Sequence, residues 1–190
     1  NSSPESLERV KFISNKSKEY IENNLRIFHG DLRDKNTIKK LFLNAKNIGR
    51  PITGVIHLAG LKSVAESIIC PSTYWENNVI ATRNLIDVMI ENDCCTIVFS
   101  SSASIYNSNS RILNENTNIK ALHPYANTKI IIEKILYDVF TREPNKWRIA
   151  CLRYFNPIGA HTSGLIGEDP LGVPNNIFPR IIKVASGEIK

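Results

Sequence analysis

The sequence predicts an α/β fold built on a doubly wound parallel sheet, and three observations carry that prediction. Short apolar runs recur along the chain, amphipathic helical stretches alternate with them, and the runs are near-continuously apolar rather than alternating in polarity. Continuous apolarity is the mark of parallel strands covered on both faces. Strand–helix–strand spacing of this kind calls for right-handed crossovers.

Taken in order, polar helical sequence precedes the first run, LRIFHGD (25–31). Residues 34–45 form a predicted helix with Asp34 as N-cap and with Ile38, Leu41 and Phe42 on one face. The second run is GVIHLAG (54–60). A long helix follows over 73–92, opening on TYWE, where Thr73 and Glu76 fit a capping box. The third run, CTIVFSSS (95–102), ends in serines. Segment 107–124, rich in Asn and Ser, reads as a surface loop leading into a helix that starts near Tyr125 and carries Ile131, Ile132, Ile135 and Leu136. The fourth run is RIACLRYF (148–155). Beyond Phe155 the texture turns to Gly, Pro and Asn, a long ordered loop or the entry to another region, which divides the chain into 1–155 and 156–190. No internal repeat is visible.

Bulk properties exclude several function classes. The chain has 190 residues, of which 42% are hydrophobic and 22% charged, as in ordinary globular domains. It opens on Asn1 without a charged-then-apolar leader and reads as a fragment rather than a processed secreted chain. No apolar run approaches the roughly 20 residues that span a bilayer, so no membrane partner is expected. The net charge of +6 is scattered, with a loose cluster at Lys11, Lys16 and Lys18 beside acidic residues. Without a basic stripe and interleaved aromatics, nucleic acid is not an expected partner. Cys70, Cys94, Cys95 and Cys151 form no C-x-x-C pair and suggest reduced thiols in the cytoplasm. His29, His57, His123 and His161 lack ligand spacing, so no metal is expected.

The chemistry-bearing feature is Tyr125 and Lys129 in PYANTK. About 0.4 Tyr-x-x-x-Lys pairs arise by chance in this composition, so the spacing alone is a weak signal. Its physics is definite, however. Residues i and i+4 share a helix face, and an ammonium about 6 Å from a phenol favours the phenolate by roughly 3 kcal/mol at an effective dielectric of about 20. That turns a tyrosine toward general-base work. SSSAS (100–104) lies at the carboxyl end of its strand, where ligands bind in open α/β sheets. HLAG (57–60) ends its strand on small residues that let a flat ligand approach the backbone, and GDLRD places Asp31 at another strand end.

These residues carry a family resemblance. HLAGLKSVAES, VFSSSASIY, PYANTK and LRYFNPIGAHTSGLIGEDPLGVPNN resemble the UDP-glucose (UDP-galactose) 4-epimerases of the extended short-chain dehydrogenase/reductase superfamily, over about residues 25–186. The Ser and Tyr-x-x-x-Lys set is common to the superfamily, whereas RYFNPIGAH with GEDP and PNN is narrower. The resemblance implies a partial NAD-binding Rossmann domain over 1–155 and the beginning of a UDP-sugar-binding region over 156–190. Asp31 and Leu32 would border the adenine of NAD. Leu58, Ala59, Gly60 and Lys62 would line the pyrophosphate and nicotinamide riboside, with Lys62 also reaching substrate. Asn77 would touch the cofactor and Phe155 would pack beside the nicotinamide. Ser102 would hold the sugar O4, Tyr125 would be the base, and Lys129 would bind ribose hydroxyls while favouring the ionised Tyr125. Asn156, Asn176 and Ile177 would hold UDP.

The implied reaction, in galactose metabolism, is a hydride loan. Tyr125 takes the O4 proton as the C4 hydride passes to NAD, the 4-keto sugar turns over, and hydride returns to the opposite face. The resemblance also implies a homodimer formed through the helices at 73–92 and 125–140. No glycine-rich dinucleotide turn occurs in the sequence. Residues 1–190 then lack the strands that would lie between LRIFHGD and GVIHLAG, and alone they are expected to be inactive and marginally folded. Two rivals remain. A sugar-nucleotide 4,6-dehydratase needs extra acid–base groups, yet Ala103 follows Ser101 and Ser102. A catalytically silent dinucleotide-binding protein predicts decay of Ser102, Tyr125 and Lys129, all present. His123 reads as a loop residue, His161 as a residue shaping the substrate loop, and Tyr74 and Trp75 as packing residues.

Overall fold

The computed structural model describes residues 5–106, 112–168, 174 and 176–189. Parts of the predicted 107–124 loop and of the GEDP and PNN motifs lie outside them. The chain divides into two compact units, residues 28–155 and residues 1–27 with 156–190.

The first unit has the predicted α/β architecture. It contains α3 (Lys35–Asn47), β1 (Val55–His57), α4 (Val64–Ile69), α5 (Pro71–Tyr74), a π-helix (Trp75–Ile80), α6 (Ala81–Glu91), β2 (Thr96–Ser102), a 3₁₀ turn (Ala103–Ile105), α7 (Pro124–Arg142) and β3 (Arg148–Tyr154). The strands are parallel in the order β1-β2-β3, with Val55 opposite Ile97 and Ile97 opposite Ile149. Both crossovers run in the same direction across the sheet. Right-handed connections of that kind put their helices on one face. The core sits there: Ile97 and Phe99 of β2 pack with Ile38 and Phe42 of α3, Leu85, Val88 and Met89 of α6, and Ile132 and Leu136 of α7. Each such side chain contributes about 1.5–3 kcal/mol on full burial.

Two expectations change. LRIFHGD is not a strand: no described residue pairs with it, and Leu25, Ile27 and Phe28 stay exposed. An apolar run becomes a strand only when a neighbour takes its N–H and C=O groups. Cover on both sheet faces also fails among the described residues. Ile56 is 73% exposed, and Leu152 and Tyr154, on the same face, are open too.

Asp34 caps α3 as predicted, its carboxylate accepting from Asn36 N–H. The helix expected at 73–92 begins instead at Pro71, with Cys70 at the cap position, so Thr73 and Glu76 form no capping box. Proline at the first helical position pre-sets φ and moves the start upstream. The same helix carries the π segment at Trp75–Ile80, an irregularity that recurs at functional sites. The second unit contains α1 (Ser6–Ile13), α2 (Lys18–Asn24) and α8 (Ile177–Ala185).

Candidate active site

The carboxyl end of β2 sorts its three serines by strand parity. Ser101 points to the helix-covered face and is buried, while Ser100 and Ser102 face the other side and are half-buried. Ser101 Oγ donates to Glu133 Oε1 at 2.5 Å. Arg153 of β3 closes a fork on the same carboxylate, at 3.1 Å from Nε and 2.7 Å from an NH2 nitrogen, and also donates to Tyr106 Oη at 3.0 Å. Glu133 first and Tyr106 second raise the Arg153 pKa. Ser102 caps the 3₁₀ turn: its Oγ accepts from Ser104 N–H at 3.2 Å and lies 2.9 Å from Ser104 Oγ.

α7 brings the Tyr/Lys pair to this strand end. Ala126, Lys129, Ile132 and Leu136 form its buried stripe, so a charged side chain stands where the helix period calls for an apolar one. Lys129 is 5% exposed, and its Nζ donates to Ser100 O at 2.7 Å. The same Nζ lies 4.8 Å from the Phe99 ring centroid and 5.8 Å from that of Tyr125. Burial brings the Lys129 pKa down to about 8. The Tyr125 ring meets Tyr74 edge-on, with centroids 6.5 Å apart, and lies parallel to the His123 ring at 6.0 Å. Tyr74 is itself fixed, with no exposed surface and its hydroxyl donating to Glu66 Oε2 at 2.8 Å. Burial first and then Glu66 push its pKa up to about 12.

The loop after β1 approaches the same ammonium. Leu58, Ala59, Gly60 and Lys62 are exposed there. A Cβ on Gly60 would stand 3.1 Å from Asn78 Oδ1 and 3.9 Å from Lys129 Nζ, so only glycine leaves that gap open. Asn78 holds the loop. Its Oδ1 accepts from Leu61 N–H at 2.8 Å, and its Nδ2 donates to Leu61 O at 3.0 Å and to Thr128 Oγ1 at 3.2 Å. Beneath it, His57 Nε2 lies 2.8 Å from Thr82 Oγ1. Burial, and secondarily Lys129, lowers the His57 pKa to about 4.

The structure therefore brings together Gly60, Ser102's strand end, Tyr125 and Lys129. Leu58, Ala59 and Lys62 share the Gly60 loop, and the remaining predicted residues have surroundings of their own. Asp31 is exposed and forked by Arg33, whose hydrogen bonds hold its carboxyl at about 2. Leu32 packs on the core edge and Phe155 is exposed. Asn77 donates to Thr73 O within its own helix. Asn156, Asn176 and Ile177 belong to the second unit, where Asn176 Nδ2 donates to Glu168 Oε1.

Sequence reading missed Asn78, Thr128, Glu133 and Arg153, and it set His123 aside. His123 is the N-cap of α7, its Nδ1 accepting from Ala126 N–H at 3.1 Å. The one available signal was the Asn77–Asn78 doublet, but the π segment shifts the helical phase that would have said which of the two faces the loop.

The donor set fits a dinucleotide. Ser100 O takes one of the three Lys129 donors, which leaves the others for ribose hydroxyls, and the open loop 58–60 offers small residues and backbone. Among the described residues, no group of three His, Cys, Asp or Glu could hold a metal ion, and no helix is long and apolar enough to cross a membrane.

Comparison with known proteins bears on the same reading. Residues 5–188 match the NAD dependent epimerase/dehydratase family. The bifunctional UDP-glucose 4-epimerase and UDP-xylose 4-epimerase 1 of Pisum sativum is 44% identical over 190 residues, 100% of this chain and 52% of the pea protein. UDP-glucose 4-epimerase 2 of Arabidopsis thaliana is 45% identical over 188 residues, 98% of this chain and 51% of its own length. The crystal structure of UDP-glucose 4-epimerase from Bifidobacterium longum, in complex with NAD+ and UDP, matches with a TM-score of 0.86 at 42% identity, covering 100% of this chain and 53% of that one. The chain spans about half the length of the curated relatives it matches.

Proposed function

The chain belongs to the NAD-dependent epimerase/dehydratase family, and on that premise we propose that the protein interconverts UDP-galactose and UDP-glucose by inverting C4. One observation carries the reading: a buried ammonium, Lys129, spans from Ser100 O at the serine-bearing strand end to within 5.8 Å of the Tyr125 ring. Tyr125 takes the proton from the sugar O4 and returns it after inversion. Lys129 places its ammonium on the Tyr125 side of the helix, 5.8 Å from the ring centroid. Ser102 donates to or accepts from O4 and so fixes the hydroxyl before Tyr125. Bound NAD would supply the hydride chemistry at C4 without being consumed. Gly60, Leu58, Ala59 and Lys62 would lie along it, with Lys129 on the ribose, Asp31 and Leu32 toward the adenine, and Asn77 and Phe155 as further contacts. Asn156, Asn176 and Ile177 are assigned to the UDP end of the substrate.

A homodimer is assigned through the helices over 73–92 and 125–140, which leave Ile80, Tyr137 and Phe140 uncovered. The free cysteines support a cytoplasmic setting. The test is conversion of UDP-galactose by the complete gene product carrying NAD, beside its Tyr125→Phe variant. The variant should lose turnover while keeping NAD. A complete wild-type gene product that leaves UDP-galactose unchanged, or a Tyr125→Phe variant of undiminished rate, ends the reading.

A further inference from the structure

The tyrosine assigned as base occupies an insecure place in its helix. Tyr125 is the second residue of α7, in the first turn, where backbone N–H groups have no intrahelical acceptor and helices fray. Pro124 brings no N–H at all. Asn127 N–H bonds to His123 O at 3.1 Å, and Ala126 N–H bonds to the His123 ring at Nδ1, also 3.1 Å away. One residue therefore supplies both acceptors that close this turn, one from its backbone and one from its ring. The ring then lies parallel to the Tyr125 phenol, within 1°. An acceptor at Nδ1 requires a lone pair there, so the imidazole is neutral with its proton on Nε2. Half-burial, which lowers the His123 pKa, keeps it in that form at neutral pH.

We propose that His123 is a positioning residue for Tyr125: by capping α7 through Nδ1 it holds the first turn closed and so sets where the phenol stands relative to Lys129 and Ser102. The inference rests on the assignment of Tyr125 as base. Lys129, a full turn farther on, is secured by its own bond to Ser100 O. Loss of the cap should therefore move the tyrosine while leaving the lysine in place. The consequence is specific: the step that needs both groups slows, while the binding of nucleotide and cofactor does not.

Two substitutions separate capping from ring contact. His123→Asn keeps a side-chain acceptor at the cap, a favoured N-cap residue. His123→Phe keeps a ring against Tyr125 and removes the acceptor. In His123→Phe, amide exchange at Ala126 should quicken by about fivefold, the worth of a typical N-cap. Its kcat for UDP-galactose should fall about tenfold with KM within about twofold of wild type, the pattern of a lost transition-state contact. His123→Asn should restore exchange and kcat to within about threefold of wild type. If His123→Phe does not fold, His123→Ala supplies the acceptor-free arm. The proposal is overturned if the acceptor-free protein keeps wild-type exchange and kcat, or if His123→Asn loses as much kcat as His123→Phe. A complete wild-type gene product without activity on UDP-galactose would refute the functional reading instead. Exchange at Ala126 in the same three proteins would then decide the cap by itself, lost protection in Phe and kept protection in Asn upholding it.

Discussion

Replacing Lys129 by methionine should make the protein more stable and less active at once. Lys129 is 5% exposed and its pKa stands at about 8, against a model-peptide value near 10.5. A gap of about 2.5 units corresponds to about 3 kcal/mol of destabilisation carried by the charged form in the fold. Methionine has similar volume and no charge to desolvate. It forfeits the bond to Ser100 O, worth about 1 kcal/mol, so the net gain at pH 7 is about 2 kcal/mol. The pH dependence has a definite sign. Between about pH 8 and 10.5 the unfolded lysine holds a proton that the folded one has released, so wild-type stability rises with pH there, by about 1.4 kcal/mol per unit. Cys151, whose thiol burial pushes up to about 11, works the other way above its ordinary range near 9, which leaves pH 8–9 as the clean window. Urea unfolding at pH 7, 8 and 9, followed by the fluorescence of Trp147, buried in the core, measures both proteins. The wild-type midpoint should climb toward pH 9, and the Lys129→Met midpoint should start higher and stay flat. Its conversion of UDP-galactose should fall on the order of a hundredfold, the scale of an impaired acid–base step. A Lys129→Met protein less stable than wild type at pH 7, with the same slope above pH 8, would refute the reasoning.

On the acid side, His57 is held neutral down to about pH 4, so wild-type stability should fall from pH 6.5 to pH 4 by about 3 kcal/mol in all, and His57→Gln should remove most of that slope in the same urea series. Glu133→Ala leaves Arg153, with a 21% exposed side chain, facing no carboxylate at that site; about 3–5 kcal/mol of stability should be lost, read as a drop in Tm, and Glu133→Leu with Arg153→Met should recover most of it. Gly60→Ala drives a methyl toward Asn78 Oδ1 and Lys129 Nζ, so NAD affinity measured by calorimetry should fall about tenfold or more while Tm shifts by only a few degrees.

What the sequence made legible was local. Tyr125 and Lys129 sit i and i+4, and the helix geometry that makes such residues neighbours is independent of everything else in the fold. The serine run was legible as a strand end, and strand parity turns Ser101 to the face of Ile97 and Phe99. What stayed hidden is its partner, Glu133, which accepts from Ser101 Oγ across 32 residues. Arg153, 20 residues beyond Glu133, completes that clasp, and no periodicity in either element signals it. The same limit explains LRIFHGD. Its apolarity is real, yet a strand is a relation between two segments, and the run has no described partner. His123 was obscured for a different reason. Histidine is outside the residues usually found at helix caps, so the residue before Pro124 read as loop although its ring nitrogen does the work of a serine or asparagine oxygen.

The site residues share a physical character that bears on why they stand where they do. Lys129 places a charge in an apolar stripe, His57 is buried neutral beneath it, and the Arg153–Glu133 pair removes two more charges from full solvation. A chain selected for stability alone would replace several of these with hydrophobic residues of equal volume. This concentration of buried and half-buried titratable groups on β1, β3 and α7, with Lys129 beside Tyr125, is what a packing explanation leaves over. If Lys129→Met gains stability and loses turnover together, that concentration has its cause in the chemistry. If both quantities fall in step, the charge belongs to the scaffold, and the case for Tyr125 as base loses its main support.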